Sequence, residues 1–283
     1  MSTWELPLVI FTVFGQWAIG LAIMLTLVEY FSPATITEAN LKQFRMGGMA
    51  VLPLVAVGLL FSIFHLGRPF AAYRALFNLG QSMLSLEIAF FLVVGVLALI
   101  YSYMWWKTPD KSSRKIVGAA LSIVGLAAIV ISSKVYALPA RLAWDSLQTT
   151  AAFILTAVLL GAVSVALLLG KSEDETSLKA KKVFGWVILG AVIATVVVLA
   201  LFAQTYGASA EQSAAVAATF ASAIFVVRLV LGILIPVALA GLFVANGKSS
   251  STIISVALFS VVIGELSGRI LFYSSVMSQY PWF

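Results

Sequence analysis

Apolar runs long enough to cross a lipid bilayer recur along the chain, at about 7–30, 46–64, 83–106, 116–137, 149–170, 183–206, 217–245 and 252–275. Each ends in a short break that contains charged, Pro, Gly or Ser residues. A bilayer core about 30 Å thick needs roughly 20 apolar residues per helical crossing. Inside it every backbone polar group must find its partner within the segment, so runs of this length fold as helices. The sequence therefore predicts an all-α integral membrane protein of about eight transmembrane helices, for which two four-helix bundles are the natural division. Composition agrees, because 62% of the 283 residues are hydrophobic and 10% charged, against roughly 45–50% and about 25% in a soluble domain. No break could hold a soluble domain, so residues 1–283 read as a single membrane domain. The first run is longer than a signal-peptide core and no Lys or Arg precedes it, so it reads as a retained first span.

Eight crossings put both termini on one side. The breaks after the first, third, fifth and seventh runs carry Lys42, Arg45, Lys107, Lys111, Arg114, Lys115, Lys171, Lys179, Lys181, Lys182 and Lys248. The opposite breaks carry only Arg68, Arg74 and Arg141, with Lys134 near a helix end. Because Lys and Arg accumulate in cytoplasmic loops, the expected location is the cell inner membrane, multi-pass, with both termini outside in the periplasm. The net charge of +6 is thus spread over topology-setting loops rather than gathered in a patch. The charge is thus better read as setting topology than as a surface for nucleic acid or anionic lipid, and the lipid bilayer is the partner that the apolar runs imply.

With no cysteine, the chain can hold neither an iron–sulfur cluster nor a thiolate metal site. Its single histidine, His65, cannot supply both ligands of a bis-histidine haem, although counting leaves a His/Met haem open. Any redox cofactor is therefore expected in a partner.

An ionisable group inside a span costs about 2.5–3.5 kcal/mol on insertion scales, so its position is informative. Glu87, Arg228, Glu265 and Arg269 all fall toward the outer leaflet, joined by Gln16, Tyr136, Tyr273 and, at a span exit, His65. The inner half reads as nearly bare. A continuous channel would need polar groups through the full depth, so this asymmetry suits a pocket entered from the bilayer and closed toward the outer face. Glu265 and Arg269, four apart, read as a mutually neutralising pair on one helix, with Arg228 as their partner or snorkelling. Gly264 and Gly268 form a small-xxx-small packing face; no strand precedes them, so a dinucleotide reading fails. The outer connection 65–82 contains Pro69 at a first helical position and Phe70, Tyr73 and Phe77 at helical spacing, which predicts an interfacial helix.

Three stretches together resemble the membrane-anchor subunit of dimethyl sulfoxide reductase. They are Glu5-Leu-Pro-Leu-Val-Ile-Phe-Thr-Val-Phe-Gly-Gln16, the run from His65-Leu-Gly-Arg through Asn78 to Ser85-Leu-Glu-Ile88, and Gly264-Glu-Leu-Ser-Gly-Arg-Ile-Leu-Phe-Tyr273. The middle stretch is the most specific. The resemblance implies a subunit with no haem or metal of its own, which anchors a molybdopterin catalytic subunit and an iron–sulfur electron-transfer subunit and oxidises menaquinol in anaerobic respiration. It also implies that His65 and Glu87 take part in quinol binding.

Residue chemistry is consistent with those roles. Quinol oxidation releases two protons, and a histidine with an ordinary pKa near 6.5 exchanges them at working pH. Glu87 is a second acceptor, Phe64, Tyr73 and Phe77 are candidates for an apolar slot, and Arg68 and Asn78 for orienting the headgroup or meeting the partner. A more distant resemblance, to the anchors of polysulfide or tetrathionate reductases, leaves the terminal substrate to the catalytic subunit. A secondary transporter is the rival class, but no repeat and no pair of interrupted spans supports it. The loop charges predict that alkaline phosphatase fused after Phe283 is active and fused after Lys115 is inactive; the reverse pattern would invert the topology.

Overall fold

The computed structural model describes residues 5–65, 69–107, 111–137, 144–170, 172–205, 210–247 and 250–274, and the regular structure among them is helical throughout. The helices are α1 (Leu6–Phe31), α2 (Leu41–His65), α3 (Met83–Lys107), α4 (Lys111–Val135), α5 (Leu147–Leu169), α6 (Glu175–Thr205), α7 (Ala210–Phe220), α8 (Ala223–Leu229), α9 (Ile235–Asn246) and α10 (Ser251–Ser274). A π-helical turn, Val230–Leu234, fuses α8 and α9 into one span. With that fusion, eight helices among the described residues are long and apolar enough to cross a membrane, and α7 is not one of them. Short 3-10 segments follow α1 (Pro33–Thr35) and α2 (Pro69–Asn78). The second lies within the 65–82 connection.

Helices α1 and α5 form the centre. In their most apolar stretches 72% and 67% of residues are buried, against 28–44% in the other spans, whose remaining faces are left for lipid. α1 packs on α2, α4, α5 and α10, and α5 on α1, α6 and α10. Glycine makes the central contact possible. A Cβ on Gly20 would stand 1.9 Å from the Ala157 carbonyl oxygen, and one on Gly161 2.4 Å from the carbonyl oxygen of Gly20. Apolar side chains gain little by hiding from lipid, so close backbone approach and the dispersion it brings carry the association.

The helix ends and interruptions are satisfied locally. Asn40 accepts from the Thr37 N–H at 2.9 Å and donates to the Thr35 carbonyl at 2.9 Å, which shapes the entry to α2. Pro53 interrupts α2. One turn earlier, the Ser102 hydroxyl of α3 accepts from the Leu52 N–H at 3.2 Å and donates to the Gly48 carbonyl at 2.9 Å. The neighbouring helix thereby adds hydrogen bonds to the α2 backbone just before the proline, where no water is present to supply them. Beyond α5, Lys181 donates to the carbonyls of Gly170 and Ser172 at 2.8 and 2.9 Å. Asp174 caps α6 through Ser177, whose backbone and hydroxyl donors hold its carboxyl below the ordinary range.

Because the atoms that face Gly20 and Gly161 are backbone and cannot yield, Gly20→Val or Gly161→Val should destabilise the chain by about 1–3 kcal/mol or more. Gly190, around which a Cβ would meet nothing within 4 Å, supplies the control. Thermal unfolding in detergent should show a lowered midpoint for either valine variant and little change for Gly190→Ala.

Candidate functional site

The seventh and eighth spans meet at glycine. A Cβ on Gly264 would lie 2.3 Å from the Gly232 Cα, so the two backbones touch. One turn further along α10, a Cβ on Gly268 would come 2.9 Å from Nε of Arg228, and one on Gly232 the same distance from its Nη1. The glycines thus open the slot in which the Arg228 guanidinium lies. From there Nη1 donates to Glu265 Oε1 at 2.5 Å, while the other carboxylate oxygen accepts from the Thr156 hydroxyl at 2.7 Å. Arg228 and Glu265 are 6% and 4% exposed. Counting from the end of α10, and at 1.5 Å per residue, Glu265 lies about 14 Å inside its span.

This corrects the reading of Glu265 and Arg269 as a pair on one helix. Glu265 is neutralised across helices by Arg228, whereas Arg269 turns toward α1 and α5. It donates to Gln16 Oε1 at 2.8 Å, and its guanidinium lies 3.7 Å from the centre of the Phe153 ring. Next to it the hydroxyls of Tyr273 and Tyr136 are joined at 2.8 Å, and the Trp144 indole N–H donates to the Phe272 carbonyl at 2.9 Å. Glu87 completes the layer from α3. It is 5% exposed and accepts from the Ser132 hydroxyl of α4 at 2.5 Å. All these groups lie in the halves of their helices nearest the start of α1 and the end of α10.

Beside this layer is a cavity of about 140 Å³ between α5, α6, α7, α8 and α10. Arg228, Glu265, Arg269, Thr156 and Thr195 are polar members of its lining, and Phe202, Phe220, Phe225 and Phe272 supply rings. The Nε of each arginine is buried without a hydrogen-bond partner. A buried donor left unsatisfied costs about 1–3 kcal/mol, so both invite an acceptor. Among the described residues no three His, Asp or Glu side chains stand close enough to hold a metal ion.

The residues singled out from sequence do not all converge. His65 closes α2, but its side chain, and Arg68 entirely, lie outside the described residues. Tyr73, Phe77 and Asn78 are exposed on the 3-10 segment, where the rings of Tyr73 and Phe77 meet edge to face at 6.1 Å. Glu87 is buried, yet lines no part of the cavity.

The opposite half is not bare. Arg114 donates to Glu29 Oε1 through Nε at 2.8 Å and Nη2 at 2.5 Å, and stacks 3.8 Å above the Trp105 ring. Arg45 adds bonds to the carbonyls of Trp105 at 3.2 Å and Trp106 at 2.6 Å. The signal was present: Glu29 is a carboxylate inside the first apolar run, and such a group requires a partner.

Residues 1–275 match the family model described as DMSO reductase anchor subunit (DmsC). The sequence is 28% identical over 286 residues to YnfH, an anaerobic dimethyl sulfoxide reductase subunit of Escherichia coli, with 97% of this protein and 95% of that one covered. It is 29% identical over 296 residues to the C subunit of anaerobic dimethyl sulfoxide reductase from the same organism, with 98% and 97% covered. The corresponding C subunit of Haemophilus influenzae is 32% identical over 181 residues, or 62% and 63% of the two proteins.

Removing one partner of a buried ion pair strands the other. Arg228→Met or Glu265→Leu alone should therefore cost about 3–5 kcal/mol, while the double variant should recover most of the loss. A double-mutant cycle on thermal unfolding measures the coupling; additive losses would show that the pair is not coupled.

Proposed function

The chain belongs to the DMSO reductase anchor subunit family, and from that premise we propose that it oxidises menaquinol in the bacterial inner membrane, with both termini periplasmic. The electrons pass to an iron–sulfur subunit docked on the outer face and from there to a molybdopterin catalytic subunit in anaerobic respiration. The names of the relatives support dimethyl sulfoxide as the terminal acceptor, a choice that belongs to the catalytic subunit.

The observation that carries the reading is the polar layer, and within it Glu87. A carboxylate kept inside the bundle with the Ser132 hydroxyl as its donor is equipped to accept a proton where water is excluded. Quinol oxidation needs an acceptor for each of two protons, and His65, at the end of α2, is the second. Tyr73 and Phe77 offer exposed rings on the adjoining segment, and Arg68 and Asn78 are assigned to orient the headgroup or meet the partner. Since the chain has no cysteine for a cluster, both electrons leave it for the docked subunit, which is why the oxidation belongs near one face rather than at the midplane.

His65→Ala should leave the complex assembled and electron delivery from a soluble dye to the catalytic subunit intact, while turnover with a menaquinol analogue falls by about 10²-fold. Glu87→Gln, which keeps the shape, should give a smaller loss. Fluorescence quenching of a quinol-analogue inhibitor on the membrane-bound complex reports binding separately. Unchanged affinity and turnover in both variants would remove these residues from the site.

A further inference from the structure

The cavity between α5, α6, α7, α8 and α10 has a divided chemistry that the residues of the proposed oxidation site do not use. On one wall stand two guanidiniums and one carboxylate; much of the remainder is hydrocarbon, including the rings of Phe202, Phe220, Phe225 and Phe272. The fixed charges do not cancel. Arg228 is paired with Glu265, but Arg269 has no ion-pair partner among the described residues and relies on Gln16 and Phe153. Both arginines are more than nine-tenths buried, and the Nε of each lacks an acceptor.

We propose that this cavity is a binding pocket for a quinone-type ring, with a ring oxygen at the arginine wall and the flat ring among the phenylalanines. Size supports a ring: at about 140 Å³ the space is close to the roughly 150 Å³ of an apolar cavity that takes up benzene. The layout of donors supports a ring with oxygens at its edge. A phosphate headgroup recruits charge-assisted donors around several oxygens, whereas here two arginines, one of them already paired with Glu265, share the lining with four aromatic rings. A carbonyl or hydroxyl oxygen accepts from the unpartnered N–H groups and needs no full negative charge to do so. The identity of the ring rests on the reading of the protein as a quinol-oxidising anchor; the place does not, because it is argued from the cavity's own lining, of which Glu87 is no part.

The test uses the intact membrane-bound complex and a photoreactive azidonaphthoquinone, with the labelled peptides mapped by mass spectrometry. Label is expected on α6 and α10, around 198–203 and 265–272. Ala203→Trp, which fills the cavity and leaves every charge in place, should abolish that label and weaken binding of the analogue by about tenfold or more. If the tryptophan prevents assembly, Thr195→Leu, which adds bulk from the same wall, replaces it, and the wild-type map already decides the location. Label confined to residues 65–87 and indifferent to the filling variant overturns the pocket and leaves the oxidation site standing. Label absent from the whole chain overturns both. Loss of a co-purifying phospholipid on filling, with quinone labelling unchanged, overturns the ring in favour of a lipid headgroup.

Discussion

A guanidinium drawn from the seventh span into a hydrocarbon slab is tolerated only where its charge is met and its slot is dry, and much of the eighth span is organised around that demand. Gly264 brings the α10 backbone onto Gly232, Gly268 leaves room for the Arg228 side chain, and Glu265, between them in sequence, supplies the counter-charge. Lose any one of the three and the other two have no purpose. Thr156 then takes the second carboxylate oxygen, which ties the pair to α5 and so to the centre of the molecule. The attraction is strong because the surroundings are apolar, and for the same reason the penalty for half a pair is severe.

The second constraint is steric. The contact of α1 with α5 lets neither helix carry a side chain at the crossing, and Gln16, on α1 one turn before Gly20, is thereby presented to Arg269. The central crossing and the polar layer are therefore linked: α10 reaches α1 through Arg269 and α5 through Glu265. Two arginines on neighbouring spans have different kinds of support, one a carboxylate and the other an amide and an aromatic face. That difference leaves the net positive charge on the Arg269 side of the cavity.

Much of this was legible in the sequence itself. The run at 7–30 is the helix Leu6–Phe31, and that at 83–106 is Met83–Lys107, because bilayer thickness fixes helix length more firmly than side-chain propensity does. The run at 217–245 conceals a boundary: α7 ends at Phe220 and the span begins at Ala223, and the only local sign is Ser222, which caps the new helix by accepting from the Phe225 N–H at 3.2 Å. The polar layer could be read because intramembrane charges are rare, but its pairing could not. Spacing along one helix offered Arg269 to Glu265, whereas the choice of Arg228 depends on two glycines from different spans touching. Glu29 lies inside the run at 7–30, which signals that it needs a partner, but nothing local names Arg114 of α4 as that partner. The cavity draws its lining from five helices, and no contiguous stretch announces it.

The π-helical turn sets the phase of the seventh span. Pro236 has no N–H to return to Gly232, and the Ile235 N–H instead reaches back to the Val230 carbonyl, so the span holds one residue more than a regular helix of the same path. Each residue of an α-helix turns the backbone by about 100°. Upstream of the turn Arg228 must face α10, and downstream α9 must lay Ala240 and Phe243 against Gly185 of α6. A helix of unbroken phase that kept one of these faces would rotate the other away by about that angle. The extra residue is thus absorbed between two halves of one helix, one keyed to a charge and the other to a packing surface, and regularising 230–234 to α geometry with every residue kept would force the span to choose between them.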